Sequence, residues 1–263
     1  MRGWLLLLGW PALLWAAPPV SLDEVFCAVC HFEQGDQFSE SLHYQSGQLL
    51  CNDCHGGLPF EADAKKAKAP GTGFVGRPGR PEIASLCGRC HTGPAAAFAR
   101  GPHAAWQKGN NPTCVTCHHN HRVVDADLML MDSACGECHP DGSPALAQGH
   151  QLRQALEEVW WEYHRVQTRL DSLRPQDRSL GRAAPYMEAA LIALREADPE
   201  THSLELAPIR EKAAEARREL EQAQEFIDAR AASQARRRWI ALGVWVFVGA
   251  NVLLLWLKRR QMQ

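Results

Sequence analysis

The sequence predicts a mainly α-helical chain: a first half with few regular elements, then a charged helical region, then one apolar C-terminal helix. Three observations carry that prediction. A Cys-x-x-Cys-His pattern recurs five times between residues 27 and 139, in a stretch whose sparse apolar residues keep no sustained helical or strand period. From residue 151 the composition turns to charged, alanine-rich segments with helical spacing. Residues 239–257, "WIALGVWVFVGANVLLLWL", run for nineteen positions without a charge.

The first element in chain order is "MRGWLLLLGWPALLWAA", with Arg2, an apolar run of about a dozen residues and then Ala16 and Ala17. The run is too short to span a bilayer and has the layout of a cleaved signal peptide over residues 1–17. Pro11, Pro18 and Pro19 count against an uncleaved anchor.

Residues 18–150 hold all ten cysteines, as CAVCH (27–31), CNDCH (51–55), CGRCH (87–91), CVTCH (114–118) and CGECH (135–139). This pattern is the attachment signature of c-type haem. Cys27 and Cys30, Cys51 and Cys54, Cys87 and Cys90, Cys114 and Cys117, and Cys135 and Cys138 are thiol pairs that match the spacing of the two porphyrin vinyl groups. His31, His55, His91, His118 and His139 then follow as axial iron ligands. A zinc knuckle, a thioredoxin-like pair or disulfides could account for one copy. Five copies, each with its histidine and no stray cysteine, argue against all three. Five covalent haem c groups leave roughly 26 residues per cofactor, so the porphyrins themselves form most of the core. The expectation is a haem-packed multihaem cytochrome c domain of short helices and long loops. Residues 56–86, rich in Gly, Pro and Lys, are the longest haem-free stretch and are expected to wrap around the cofactors. Gly71, Gly73 and Gly76 there spell G-x-G-x-x-G, but no strand precedes and no helix follows, so the dinucleotide fingerprint is accidental.

Seven histidines lie outside the motifs: His43, His103, His119, His121, His150, His164 and His202. Five irons with two axial histidines each need five of them. His31, Phe38 and His43 stand at the same offsets as His91, Phe98 and His103, a repeated unit of haem, short helix, aromatic wedge and second histidine. His121 follows His118 too closely to reach around the same porphyrin, so as a ligand it serves a neighbouring haem. His119 points elsewhere, to solvent or a propionate. His150 repeats the offset loosely from His139. The fifth place falls to His164, with His202 the alternative, and Met129 and Met131 compete as sulfur ligands.

Residues 151–238 read as a helical spacer or docking region. One helix ends near Pro175, another near Pro199, and a third begins around Pro208. In the third, Ile209, Ala213, Ala216, Leu220, Ala223 and Ile227 form a heptad seam of mostly small residues, suited to partner helices or to a solvated rod. No Pro or Gly follows before Gly243, so this helix is expected to run directly into the membrane. Residues 239–257 are long enough to cross, with Trp239 and Trp256 at the edges and residues 258–263 as a cytoplasmic tail. Arg236, Arg237 and Arg238 face Lys258, Arg259 and Arg260, so the positive-inside count is a tie. Export of the haem domain breaks it, giving a single pass through the cytoplasmic (inner) membrane with the haems on the periplasmic side.

"CVTCHHNHRVV" resembles the C-x-x-C-H-x-x-H element of small periplasmic multihaem cytochromes, and "CHFEQGDQFSESLH" and "CGECHPDGSPALAQGH" resemble their haem-plus-distal-histidine units. The resemblance covers residues 27 to about 150 and implies low-potential, bis-histidine electron transfer. The superfamily includes membrane-anchored quinol dehydrogenases, which usually carry four haems and an N-terminal anchor; this chain departs in both. Pentahaem nitrite reductases carry a lysine in place of one motif histidine, whereas all five motifs here end in His.

The implied function is electron transfer between a membrane quinol-linked complex and a periplasmic or extracellular redox partner, an electron carrier more than an enzyme. Residues 20–150 hold nine Lys/Arg against fourteen Asp/Glu, a net of −5, which suits a basic redox partner and excludes nucleic acid. Two other classes stay open: a quinol dehydrogenase in its own right, and an enzyme whose one open haem acts on a small nitrogen or sulfur compound. A helix-mediated oligomer or complex is also expected of the seam.

Overall fold

The computed structural model describes residues 20–47, 49–105, 111–175 and 177–262; the signal peptide expected over residues 1–17 lies outside them. The described residues form thirteen α-helices and three 3-10 helices with no strand, the mainly α fold that the sequence predicts. They gather into two compact units, one of residues 20–83 with 118–125, the other of residues 84–117 with 126–262.

The first unit is built from pieces of one or two turns: Phe26–Cys30, Phe32–Ser39, Leu42–Gln45, Cys51–His55 and Ala64–Ala67. Each is too short to be stable alone, so side chains and turns hold their ends. Ser41 caps Leu42–Gln45 through a hydrogen bond from the His43 amide, and Asp63 caps Ala64–Ala67 from two amides. The apolar core is small: Val25, Ala28, Phe38 and Ala67 are buried.

Residues 56–76 fold back on the second motif. The Gly57 amide donates to Thr72 O at 3.0 Å, Leu58 to Ala67 O at 3.0 Å and Val75 to His55 O at 2.9 Å. Gly71, Gly73 and Gly76 all have positive φ, at 92°, 73° and 62°. The glycines of the accidental fingerprint thus serve as left-handed turn positions. Gly56 is also left-handed, and a Cβ there would lie 2.0 Å from the Gly73 carbonyl oxygen, so that close approach requires glycine.

The second unit contains three long helices, Pro144–Leu173, Ala184–Glu200 and Leu206–Gln261. Ser143 caps the first, with Pro144 in its opening turn. It therefore starts earlier than the composition shift at 151. The second runs one residue past Pro199, where the sequence placed its end. The three pack on one another around Val159, Val166, Leu170, Met187, Leu194 and Leu220, all at most 3% exposed. Ile209, Ala213, Ala216, Leu220, Ala223 and Ile227 are all buried, so the seam is covered by the chain's own helices. Alanines at 190, 193, 213, 216 and 223 let the backbones approach closely. Asp177 joins the loop before the second helix to the third: it accepts from Arg230 at 2.5 Å and Gln234 at 2.7 Å.

The third helix continues without a break through residue 261, and its apolar part is long enough to cross a membrane. The side chains from Trp239 to Leu257 are exposed, Trp245 at 73% among them. A surface of that kind has no protein to cover it and supports single-pass anchoring in lipid. Asn251 donates to Phe247 O on its own helix at 2.8 Å, which satisfies it inside the span.

Candidate haem-binding site

Each Cys-x-x-Cys-His motif forms one helical turn. The amide of the motif histidine donates to the carbonyl of the first cysteine at 2.9 Å for His31, 3.0 Å for His91 and 2.9 Å for His139. In the second and fourth motifs the whole pentapeptide is a helix, Cys51–His55 and Cys114–His118. A helical turn puts both cysteines and the histidine on one side of the backbone. None of the ten cysteines is tied up in a disulfide, so every motif keeps both thiols for thioether formation. Within the motifs the second cysteine is exposed in three cases, Cys30, Cys90 and Cys138, and half-buried in Cys54 and Cys117.

Thiols of the first and second, the third and fourth, and the fourth and fifth motifs lie close together. Burial pushes the Cys51 thiol up to about 11, with Cys27 beside it and Cys54 of its own motif adding to the effect. A hydrogen bond from Cys87 holds Cys114 down at about 7. Cys117 is raised by burial and then by its neighbours Cys135, Glu137 and Cys138. Attachment points so near one another require closely packed cofactors.

The histidines make the strongest geometric pattern. His55 and His121 face one another with ring centroids 6.2 Å apart, and His103 and His139 with centroids 6.4 Å apart. Two metal–imidazole bonds of about 2 Å, plus about 1 Å from each nitrogen to its ring centre, sum to about 6 Å. Both centroid separations match that sum. Burial lowers His121, with His55 and His31 next in effect; burial and then His139 lower His103. His55 Nδ1 donates to Gly76 O at 2.8 Å. The carbonyl can only accept, so Nδ1 is the donor and Nε2 is the ring nitrogen left for a metal.

His121 reaches the second motif through an unusual backbone. His119 and His121 both have positive φ, 61° and 58°, and the Arg122 amide closes on Asn120 O at 2.8 Å. This left-handed turn reverses the chain directly after the fourth motif. It leaves His119 exposed, as the sequence suggested. The same reversal carries Val123 and Val124 between two other histidines: Leu42 donates to Val123 O at 3.2 Å, and Val124 donates to His118 O at 3.2 Å. His43 is half-buried beside Leu42.

His202 lies on the 3-10 turn Thr201–Ser203, which packs against the helix Thr92–Arg100 that His91 caps. Burial lowers His202, and His91 lowers it further. Its Nδ1 donates to Pro199 O at 3.1 Å, the same arrangement as at His55. Gly93 sits against Pro199 and Gly101 against the His202 carbonyl, and Arg100 pairs with Glu200 at 2.6 Å. His164, by contrast, is flanked on its own helix by Trp160 at 5.8 Å and Tyr163 at 5.6 Å. His150 meets Asp132, which Arg153 also contacts at 3.2 Å. Met131 packs against Leu152, Leu156 and Ile209, and Met129 Sδ accepts from Arg153.

The repeated unit is visible as structure. His31 caps Phe32–Ser39 and His91 caps Thr92–Arg100; each helix ends in a break, and a four-residue helix follows with His43 or His103 at its second position. After His139 no such break occurs, and the uninterrupted helix Pro144–Leu173 carries His150 onward.

Residues 36–140 match the family model described as cytochrome c7 and related cytochrome c, which implies covalently bound haem c. That match agrees with the resemblance of the motif region to small multihaem c-type cytochromes. No curated protein and no solved structure matches the chain.

Proposed function

We propose that this chain is a membrane-anchored pentahaem cytochrome that carries electrons between a membrane quinol-linked complex and a periplasmic or extracellular redox partner. The single observation behind the reading is the pairing of histidine rings at 6.2 and 6.4 Å, one from a motif and one from outside it. An iron held on both faces has no vacant position for a substrate, so electron transfer is the chemistry left to it.

The proposed ligand set extends from these two pairs. His55 pairs with His121, His139 with His103, His91 with His202, and His118 with His43. His202 takes the place that the sequence assigned to His164, because it lies beside a motif histidine with Nδ1 already tied to a carbonyl. His150 is engaged with Asp132 and is left out of the set. The cysteines hold the groups through thioether bonds: Cys27 and Cys30 the first, Cys51 and Cys54 the second, Cys87 and Cys90 the third, Cys114 and Cys117 the fourth, Cys135 and Cys138 the fifth. The haem supplies a reversible one-electron centre when bound; the protein supplies its ligands, its packing and, at His55 and His202, a carbonyl that orients the ring through Nδ1. The apolar helix supports anchoring in the cytoplasmic membrane, with the haem domain on the exported side.

Mass spectrometry of the mature protein, together with electron paramagnetic resonance of its oxidised form, tests the reading. The expected result is five thioether-linked haems and histidine-ligated low-spin signals from at least four of them. Fewer than five attached groups, or zinc in a metal assay, would refute it.

A further inference from the structure

The first motif differs from the rest. Lys68 Nζ lies 3.2 Å from His31 Nε2. Nε2 is the nitrogen that a Cys-x-x-Cys-His histidine gives to iron, and here a second nitrogen donor, carried by another element, converges on the same point. Resting on the pentahaem reading above, we infer that Lys68 is the second axial ligand of the haem attached at Cys27 and Cys30.

The fold places this lysine deliberately. Lys68 ends the helix Ala64–Ala67, whose last residue is buried and accepts the Leu58 amide at 3.0 Å. That helix belongs to the glycine-turned loop whose Gly76 carbonyl orients His55. One loop thus serves two motifs, fixing a histidine at the second and offering an amine to the first. The Phe74 ring lies 5.6 Å under the ammonium, giving it an aromatic flank. Two trans nitrogens on one metal stand about 4 Å apart. The flexible four-carbon stem of lysine accommodates the small retreat from 3.2 Å that this needs. On coordination the amine forms a bond from its lone pair to iron and its extra proton passes to solvent; no electron is exchanged.

The histidine inventory points the same way. His121 already lies 6.2 Å from His55 between ring centroids. In the proposed ligand set His43, His103 and His202 serve the fourth, fifth and third motifs.

Three variants of the full-length protein test the assignment: Lys68→Ala, Lys68→Arg and Lys68→His. Arginine keeps the charge but cannot give up its proton to bind a metal. The readouts are haem count by mass, spin state by electron paramagnetic resonance, and carbon monoxide binding after reduction. The expected wild type is fully low-spin and does not bind carbon monoxide. Lys68→Ala and Lys68→Arg keep five haems but turn one in five high-spin and able to bind carbon monoxide, and Lys68→His restores the low-spin state. A low-spin spectrum unchanged in Lys68→Ala, or a wild type in which one haem is already high-spin, overturns the inference. A haem count below five in the wild type instead overturns the pentahaem reading beneath it.

Discussion

At the scale of single residues, the proposed ligand set makes direct predictions: His202→Ala should turn one haem high-spin, whereas His164→Ala and His150→Ala should leave the spectrum as it is. Spacing along the chain puts His103 and His121 forward beside the motif histidines. It leaves His202 as the alternative to His164, because the place of His202 beside His91 depends on a 3-10 turn docking against a helix far away in sequence. Electron paramagnetic resonance of the three variants decides this; a high-spin signal from His164→Ala would reinstate the sequence-based choice. Spacing does not single out Lys68, which reaches His31 only through the fold of the glycine-turned loop. Nor does it single out Gly56, whose role is steric. Gly56→Ala combines a left-handed backbone, costing about 1–2 kcal/mol, with overlap on the Gly73 oxygen. The expected result is a fall in melting temperature together with a disturbed low-spin signal from the second haem.

At the scale of elements, the heptad seam is a buried face, and spacing alone left its covering open between partner helices and a solvated rod. Periodicity identifies the face a helix buries but not what buries it, and here the covering comes from Pro144–Leu173 and Ala184–Glu200 of the same chain. Leu220 is fully buried in that interface, so Leu220→Ala should cost about 2–5 kcal/mol of stability. Denaturant unfolding of the bundle followed by circular dichroism measures it. The ion pairs on the outside, such as Arg169 with Asp228 and Arg217 with Glu158, are exposed and add little. Asp177 differs, because the Arg230 guanidinium, then Ser179, hold its carboxyl well below the usual carboxylate range. A depressed folded-state value contributes stability above the ordinary carboxylate pKa and loses it as pH falls through the folded value. Asp177→Asn should lower the melting temperature at neutral pH and flatten its decline in acid, as thermal melts between neutral and strongly acidic pH would reveal.

For the whole molecule, the sequence made the helical class and the apolar C-terminal span plain, because both rest on composition and length. The two compact units were not legible. Residues 118–125 belong with the first unit, so a boundary between the units falls inside the fourth motif, between Cys117 and His118. Ending the chain after Arg238 should release the protein from membranes while leaving five haems attached, as fractionation followed by haem staining would show. The helix that carries the apolar span begins four residues after His202, and from Leu206 to Trp239 it covers about 50 Å at 1.5 Å per residue. In the proposed ligand set the iron at His202 stands at the far end of that segment from the span. A helix upright in lipid would then hold it beyond any electron donor dissolved in the bilayer, and electrons would have to arrive through another haem or a docked protein.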